Sequence, residues 1–283
     1  MIARANARAS APEPVTRAVV LARGLGTRMR RADAAAALDA EQSAIAETGL
    51  KAMIPVGRPF LDFVLSGLAD AGVRDVCLVI GPEHERIRDR YTRDLSLHRL
   101  RIHFAIQDEP RGTADAVLAA EDFAQQYSFL VMNSDNYYPV SALSDLRRQG
   151  PPALLGFDRR GLVRDGNVTA ERIARFALLV AAPDRTLERI VEKPNEEILR
   201  QMGEDALVSM NCWCFSGEMF AACRAVEPSE RGELELPHAV QYAVDRMGVR
   251  FHVVPSDQGV LDLSSRVDIA AVTARLRDVQ VRL

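Results

Sequence analysis

Ala18-Val19-Val20-Leu21-Ala22-Arg23-Gly24-Leu25-Gly26-Thr27-Arg28-Met29 begins as an apolar run and turns into a glycine-rich loop. The run Ala18 to Ala22 predicts a short buried strand that ends at Gly24. Gly24 and Gly26 carry no Cβ, so backbone N–H groups after the strand can approach an anion closely. Thr27 adds a hydroxyl. Arg28 adds a permanently charged planar fork that grips phosphate oxygens at two points. A strand leading into such a loop is a common opening unit of an α/β fold that holds phosphate. Two versions of that unit are excluded. A Walker A loop needs Gly-Lys followed by Ser or Thr, and no such triplet occurs. The dinucleotide fingerprint needs a third glycine where Met29 stands. A bare Gly-x-Gly is also often a plain tight turn, so the loop needs support from elsewhere in the chain.

Working outward, strand and helix patterns alternate. Phe60 to Ala71 has the apolar spacing of a helix, with Gly72 as its C-cap. Val76–Ile80, Ile102–Ile106 and Phe129–Asn133 predict strands, and 83–93 and 114–124 predict helices. This alternation predicts an α/β chain with a mostly parallel, Rossmann-like central sheet flanked by helices. Later, Ala153–Phe157, Arg175–Val180, Leu187–Val191 and Val208–Phe215 predict strands with short polar connections, a more antiparallel, β-rich section. Helices at 217–226 and 233–247, a strand at Arg250–Val254 and a helix at 264–279 follow. Residues 1–16 read as a disordered leader and 17–283 as one domain, with halves at about 17–150 and 151–283. Residues 33–48 read as a helical insertion, capped by Asp33 and stopped by Thr48-Gly49. Such an insertion can cover a cleft or meet a partner, or can be a solvated addition without chemistry.

The 283 residues are 48% hydrophobic and 27% charged, with a net charge of −3. These values suit a globular chain and give no basic field for a nucleic acid. The longest apolar runs, such as Val76 to Ile80, are far short of the ~20 residues a spanning helix needs. No secretory h-region precedes the first strand. Cys77, Cys212, Cys214 and Cys223 form no Cys-x-x-Cys pair and read as reduced core thiols, which suits a cytoplasmic protein.

Other segments carry charge at places where an α/β sheet binds ligands. Lys51 precedes the apolar, proline-containing run Ala52 to Val56. Gln107 to Ala116 forms a polar turn entering a helix, whose free N–H groups and dipole favour an anion. Asp135 follows the strand Phe129–Asn133, at the carboxyl end where open sheets bind ligands, and can hold a cation. Glu192-Lys193-Pro194 closes another strand, and Asp262 follows a short apolar stretch. Taken singly, Lys51 reads as a surface lysine and Asp135 as a turn residue. Trp213 reads as core, His238 as structural, and Arg86, Arg88, Arg90 and Arg93 as a solvated helix face. His84, His98, His103 and His252 form no constellation.

In collinear order, Gly24-x-Gly26-Thr27-Arg28-Met29, Lys51 before Pro55-Val56, Asp135, Glu192-Lys193-Pro194 and Asp262 resemble the motifs of the sugar nucleotidyltransferases. The resemblance runs from about residue 17 to 270. It implies a GT-A-like nucleotidyltransferase fold with a β-rich sugar-binding section. It also implies Mg²⁺-dependent transfer of a nucleotidyl group from a nucleoside triphosphate to a sugar 1-phosphate, with pyrophosphate released. By this resemblance Ala22, Gly24, Gly26, Thr27, Gln107, Gly112 and Thr113 bind the nucleotide. Arg28 and Lys51 neutralise the departing pyrophosphate, and Asp135 and Asp262 hold Mg²⁺. Glu192, Lys193 and Asn211 bind the sugar phosphate. The expected partners are these two substrates, without nucleic acid or membrane, and a homo-oligomer is compatible with the family. With 21 residues after Asp262 in the sequence, the expectation is that no β-helix of hexapeptide repeats follows there.

The sequence departs from the family pattern at five places. Arg23 stands where Ala or Gly is usual, and the 33–48 insertion lengthens the gap from Arg28 to Lys51. Ser134 replaces a common Gly, Arg175-Phe176-Ala177 lacks a glycine used near the sugar, and Val260-Leu261 replaces a frequent Trp. Three rival readings follow: transfer to a cyclitol phosphate or phosphoalcohol, a non-catalytic sensor of nucleotide or sugar phosphate, and a Rossmann dehydrogenase. Gly112-Thr113-Ala114-Asp115-Ala116 resembles adenylyl- and uridylyl-transferring members alike, so base and sugar stay open at this level.

Overall fold

The computed structural model describes residues 13–203 and 205–283. Twelve strands occur among them: β1 (Arg17–Leu21), β2 (Asp75–Ile80), β3 (Arg101–Ile106), β4 (Phe129–Asn133), β5 (Asn136–Tyr137), β6 (Ala153–Phe157), β7 (Ala177–Ala181), β8 (Leu187–Val191), β9 (Leu207–Ser209), β10 (Cys212–Phe215), β11 (His252–Ser256) and β12 (Leu261–Asp262). Ten form one sheet in the order β3-β2-β1-β4-β10-β6-β9-β7-β8, with β11 paired to β6. β3, β2, β1 and β4 run parallel, whereas β10 pairs antiparallel with both β4 and β6. β6–β9, β7–β9 and β7–β8 are antiparallel too. The change from a parallel half to a more antiparallel one follows the expected α/β pattern.

Alternation along β1 explains the two-faced core. Ala18 and Val20 point to one face of the sheet, into a cluster with Leu61, Val64 and Leu65 of the helix Phe60–Ala71. Val19 and Leu21 point to the other, into a cluster with Val117, Phe220 and Val240 from the helices Thr113–Ala119, Glu218–Ala225 and Leu236–Met247. Trp213 is fully buried in this second cluster, and all four cysteines are buried and unbridged. Burial pushes the Cys77, Cys214 and Cys223 thiols up to about 12, so they are inert at neutral pH. No helix among the described residues is long and apolar enough to cross a membrane.

Several local expectations are corrected. The insertion's helix begins at Ala40, not after Asp33. Asp33 instead closes a turn by accepting from the Ala35 N–H at 2.9 Å. Asp39 and Gln42 form a reciprocal capping box, which fixes the start where four alanines alone do not nucleate a helix. The 114–124 helix breaks at Ala120 into Thr113–Ala119 and Glu121–Ala124. The Val208–Phe215 strand breaks between β9 and β10, where Asn211 takes a φ of 57°. Of the expected leader, residues 1–12 lie outside the described residues. Val15 is buried, donates its N–H to the Arg147 carbonyl at 3.0 Å and accepts from the Arg147 guanidinium at 2.7 Å. The end of that segment is therefore part of the fold.

Arg90 is also corrected, because it does not belong to a solvated face. Asp62, in the first turn of the helix Phe60–Ala71, is 0% exposed. Its oxygens accept from Arg58 Nε at 2.8 Å, Arg90 Nε at 2.8 Å and Tyr91 OH at 2.7 Å. The buried carboxylate draws Arg90 inward, and the Tyr91 hydroxyl is pushed well up by burial first and by Asp62 second. Removing one partner of such a group leaves charge uncompensated. Asp62→Ala is expected to lower unfolding free energy by about 3 kcal/mol. Urea unfolding checks this, and a loss under about 1 kcal/mol would show the cluster to be dispensable.

Candidate active site

At the carboxyl ends of β1 and β4 lies a cavity of about 830 Å³. Ala22, Gly24, Gly26, Thr27, Arg28, Lys51, Gln107, Gly112, Thr113, Asp135, Glu192, Lys193, Asn211 and Asp262 all line it. Every residue singled out for chemistry in the sequence is thus brought to one hollow.

Packing behind the glycine-rich loop explains one of its glycines. Gly26 has φ 60°, and a Cβ there would lie 2.1 Å from the Gly49 carbonyl oxygen. Gly49 ends the insertion's helix with φ 78°. The insertion is therefore a strut under the loop, and Arg30 ties the two by donating to the Thr48 carbonyl at 2.8 Å. Gly24 differs, since a Cβ there would meet nothing within 4 Å. Its openness toward the cavity leaves room for a ligand's approach to the backbone. The strut also delivers Lys51, whose N–H donates to the Gly49 carbonyl at 2.9 Å and whose Nζ lies 2.6 Å from Asp135 Oδ2. The long gap between Arg28 and Lys51 thus leaves both at the same hollow. Arg28 is exposed and makes no ion pair among the described residues.

Pairing of β12 with β5 sets Asp262 opposite Asn136 and brings the Asp135 and Asp262 segments together. The Leu263 N–H donates to the Asp135 carbonyl at 2.8 Å, and Asn136 Nδ2 donates to Asp262 Oδ1 at 3.1 Å. Asp262 is only 3% exposed. Burial first, and the Asp135 charge second, push its carboxyl up to about 6, against the opposing pull of Arg172. Ser264 Oγ donates to both of its oxygens at 2.9 and 2.8 Å, and Arg172 pairs with it. Among the described residues no group of three or more His, Cys, Asp or Glu side chains could hold a metal ion. Two carboxylates are nonetheless the donor set that suits Mg²⁺, which usually completes its shell with water and substrate phosphate.

Where the loop before the helix Thr113–Ala119 lines the cavity, Gln107 is buried and donates from Nε2 to the Gly112 carbonyl at 3.0 Å and to Asp115 Oδ2 at 2.7 Å. Those two acceptors fix the amide's orientation. Gly112 has φ 121°, and a Cβ there would come 2.4 Å from the Leu234 carbonyl oxygen. Thr113 Oγ1 accepts from the Leu236 N–H at 2.8 Å, so this hydroxyl joins the loop to the helix Leu236–Met247. Arg23, the departure flagged in the loop, is buried. It donates from Nε to the Gln107 carbonyl at 3.1 Å and pairs with Glu83 at 2.7 Å, bracing the cavity's rear wall.

Glu192, Lys193 and Asn211 line the same cavity. Lys193 (φ 42°) and Asn211 (φ 57°) are two of the four non-glycine residues with positive φ among the described residues. Backbone strain of this kind concentrates at functional sites. Burial first, and Glu235 second, raise the Glu192 carboxyl above the ordinary carboxylate range. The sequence missed Arg172, Asn136, Asn167, Ser264 and Glu235. Asn136 and Ser264 lie within two residues of named acids and could have been suspected. Arg172 carried no signal, because its partner is 90 positions away.

The nucleotidyl transferase family model matches residues 43–276. The chain belongs to the nucleotidyl transferase family. The match starts inside the insertion's helix, yet the glycine-rich loop before it lines the same cavity as the matched residues. The chain is 28% identical over 262 residues to a UTP–glucose-1-phosphate uridylyltransferase, AglF, of Haloferax volcanii, covering 92% of this chain and 96% of the relative. It is 29% identical over 238 residues to a glucose-1-phosphate thymidylyltransferase of Streptomyces antibioticus, covering 81% of this chain and 57% of the relative. Among solved structures, a UDP-glucose pyrophosphorylase complexed with UDP-glucose superposes with a TM-score of 0.72 at 15% identity, over 94% of this chain and 100% of the other. An inositol-1-phosphate CTP transferase from T. maritima gives 0.70 at 15% identity, over 94% and 98%. These superpositions establish the GT-A-like nucleotidyltransferase fold expected from the sequence.

Two outcomes follow for this nucleotidyl transferase. Gly26→Ala is expected to cost on the order of 2 kcal/mol, through the clash and the positive φ, while Gly24→Ala stays within about 0.5 kcal/mol of wild type. Urea unfolding of both variants checks the contrast, and equal losses would refute the strut. The second outcome concerns pH. The Asp262 carboxyl rises from 3.8 to about 6 on folding, so the folded state holds the extra proton between those values. Stability from this group is therefore lost as pH rises from about 4 to about 6 in metal-free protein. Asp262→Asn is expected to remove that part of the slope, as measured by thermal unfolding in chelator across the range.

Proposed function

We propose that this chain transfers a nucleotidyl group from a nucleoside triphosphate to a sugar 1-phosphate, with Mg²⁺ held by Asp135 and Asp262. One observation carries the reading: Arg28, Lys51, Asp135 and Asp262 line the same hollow as Glu192, Lys193 and Asn211. The relatives' substrates support the sugar 1-phosphate as acceptor. AglF carries most weight, since the chain covers 96% of it.

The chemistry requires two polyanions to meet. A phosphate oxygen of the acceptor attacks the α-phosphorus of the nucleotide. A new phosphorus–oxygen bond forms as the bond to the β-phosphate oxygen breaks, and pyrophosphate leaves with its electron pair. The acceptor phosphate is already anionic near neutral pH, so no side chain needs to remove a proton. The protein's contribution is proximity and charge. Arg28 would grip the β- and γ-phosphates from the loop, and Lys51 would exchange its hold on Asp135 for phosphate oxygens. Lys193 would hold the acceptor's phosphate, and Glu192 and Asn211 its hydroxyls. The backbone after Gly24 would lie along the triphosphate, with Gln107 and Gly112 at the base. Mg²⁺, when bound by Asp135 and Asp262, would supply charge neutralisation at the reacting phosphates.

Pyrophosphate release, measured for five nucleoside triphosphates against sugar and cyclitol 1-phosphates, tests the reading. Release is expected only with a divalent cation and with one acceptor class strongly preferred. Binding without release would favour a sensor, and a cyclitol preference would move the acceptor to the other class. Asp135→Asn is expected to abolish release with the fold intact. Arg28→Ala is expected to lower kcat/KM for nucleotide by about 10²-fold, and unchanged kinetics would remove its phosphate role.

A further inference from the structure

Each carboxylate assigned to the metal already has a protein cation seated on it, and the two seats differ. Asp135 pairs with Lys51, whose Nζ has no second carboxylate partner among the described residues. Asp262 pairs with Arg172, which lies between two buried carboxylates. One terminal nitrogen meets Asp262 Oδ2, and the other lies 2.6 Å from Asp268 Oδ1. Asp268 is buried, and its Oδ2 accepts from the Ser265 N–H and hydroxyl, both at 2.8 Å. This second seat is held in place by Ser265.

We propose that Arg172 is a displaceable counter-cation of Asp262: it neutralises this carboxylate in the metal-free protein, yields it to a divalent cation, and so sets the metal affinity. The proposal rests on the reading of Asp135 and Asp262 as metal ligands. Stripping a buried carboxylate of its only cation is costly, because charge is left unpaired in a poorly solvated place. Here neither partner is stranded by the exchange. Asp262 gains the divalent ion, and Arg172 keeps Asp268.

Atom-level contacts fit such an exchange. Asn136 donates to Oδ1 of Asp262, while Arg172 uses Oδ2, so the arginine holds the oxygen that Asn136 leaves free. Ser264 bonds both oxygens and keeps the carboxylate oriented whichever cation is present. Asn167 fixes the backbone of Asp262 from both sides, accepting from its N–H at 2.7 Å and donating to its carbonyl at 2.9 Å. The carboxylate is thus held independently of Arg172. The short helix Ala170–Ile173 carries Arg172, and Arg175 and Phe176 beyond it line the same cavity. Arg172 is therefore a positioning residue that acts through Asp262.

The test is Mn²⁺ binding to the full chain without nucleotide, followed by electron paramagnetic resonance of the free ion. Arg172→Met removes the competitor, and Mn²⁺ is expected to bind at least about tenfold more tightly. Asp268→Asn removes the second seat, leaves Arg172 with Asp262 alone, and is expected to weaken Mn²⁺ binding several-fold. Opposite shifts from these two variants are not what a merely structural bridge would give. If Arg172→Met does not fold, Arg172→Lys, a cation without a two-pronged fork, is expected to bind Mn²⁺ more tightly than wild type. Unchanged or weaker binding in the folded Arg172 variant, with Asp262→Asn still reducing binding, would overturn the proposal alone. If neither Asp262→Asn nor Asp135→Asn reduces binding, the metal-site reading falls and the proposal with it.

Discussion

Two carboxylates that repel one another, brought into one hollow at the end of a sheet, are the constraint on which the site depends. The short pairing of β12 with β5 enforces their approach. Burial raises the carboxyl of Asp262, and the charge of Asp135 raises it further. Such a pair is stable only where cations answer it. Lys51 and Arg172 do so in the protein itself, Lys51 on Asp135 and Arg172 on Asp262. On the proposed reading, the same demand for positive charge suits the site to a divalent ion, which would take over the pairing with the carboxylates, while phosphates would take over the cations.

The rest of the molecule serves this arrangement. The parallel half of the sheet sends β1 and β4 toward the cavity side by side, so the loop after β1 and Asp135 after β4 face each other. The insertion, an addition between Arg28 and Lys51, became the support of the loop. Its terminal Gly49 packs on Gly26 and hands the chain to Lys51. Arg23, unusual for the family at its position, braces the wall between Gln107 and Glu83. These two departures reinforce the pocket's frame and leave its charged groups intact.

Much of this was legible in the chain because the groups concerned sit next to strong local signals. Strand β1 and the helix Phe60–Ala71 follow from apolar spacing, and Lys51, Asp135, Glu192, Lys193 and Asp262 stand at or near motif positions. What escaped was set by distant partners. Arg90 looked like one of four surface arginines because buried Asp62 lies 28 positions away. Arg172 looked like an ordinary charged residue because Asp262 and Asp268 meet it only in the fold. Gly26 was read as making room for a ligand, whereas Gly49 explains it. The start of the insertion's helix was misplaced because a capping box outweighed alanine propensity. Charge pairing and close backbone packing are long-range, and a single sequence exposes them poorly.

The central claim is that Asp135 and Asp262 jointly hold one divalent ion. Crystals grown with Mn²⁺ and pyrophosphate, and measured for manganese anomalous scattering, test it most directly. One strong peak within bonding distance of both carboxylates is expected, with pyrophosphate against Arg28 and Lys51. A bound manganese ion that touches neither carboxylate would contradict it.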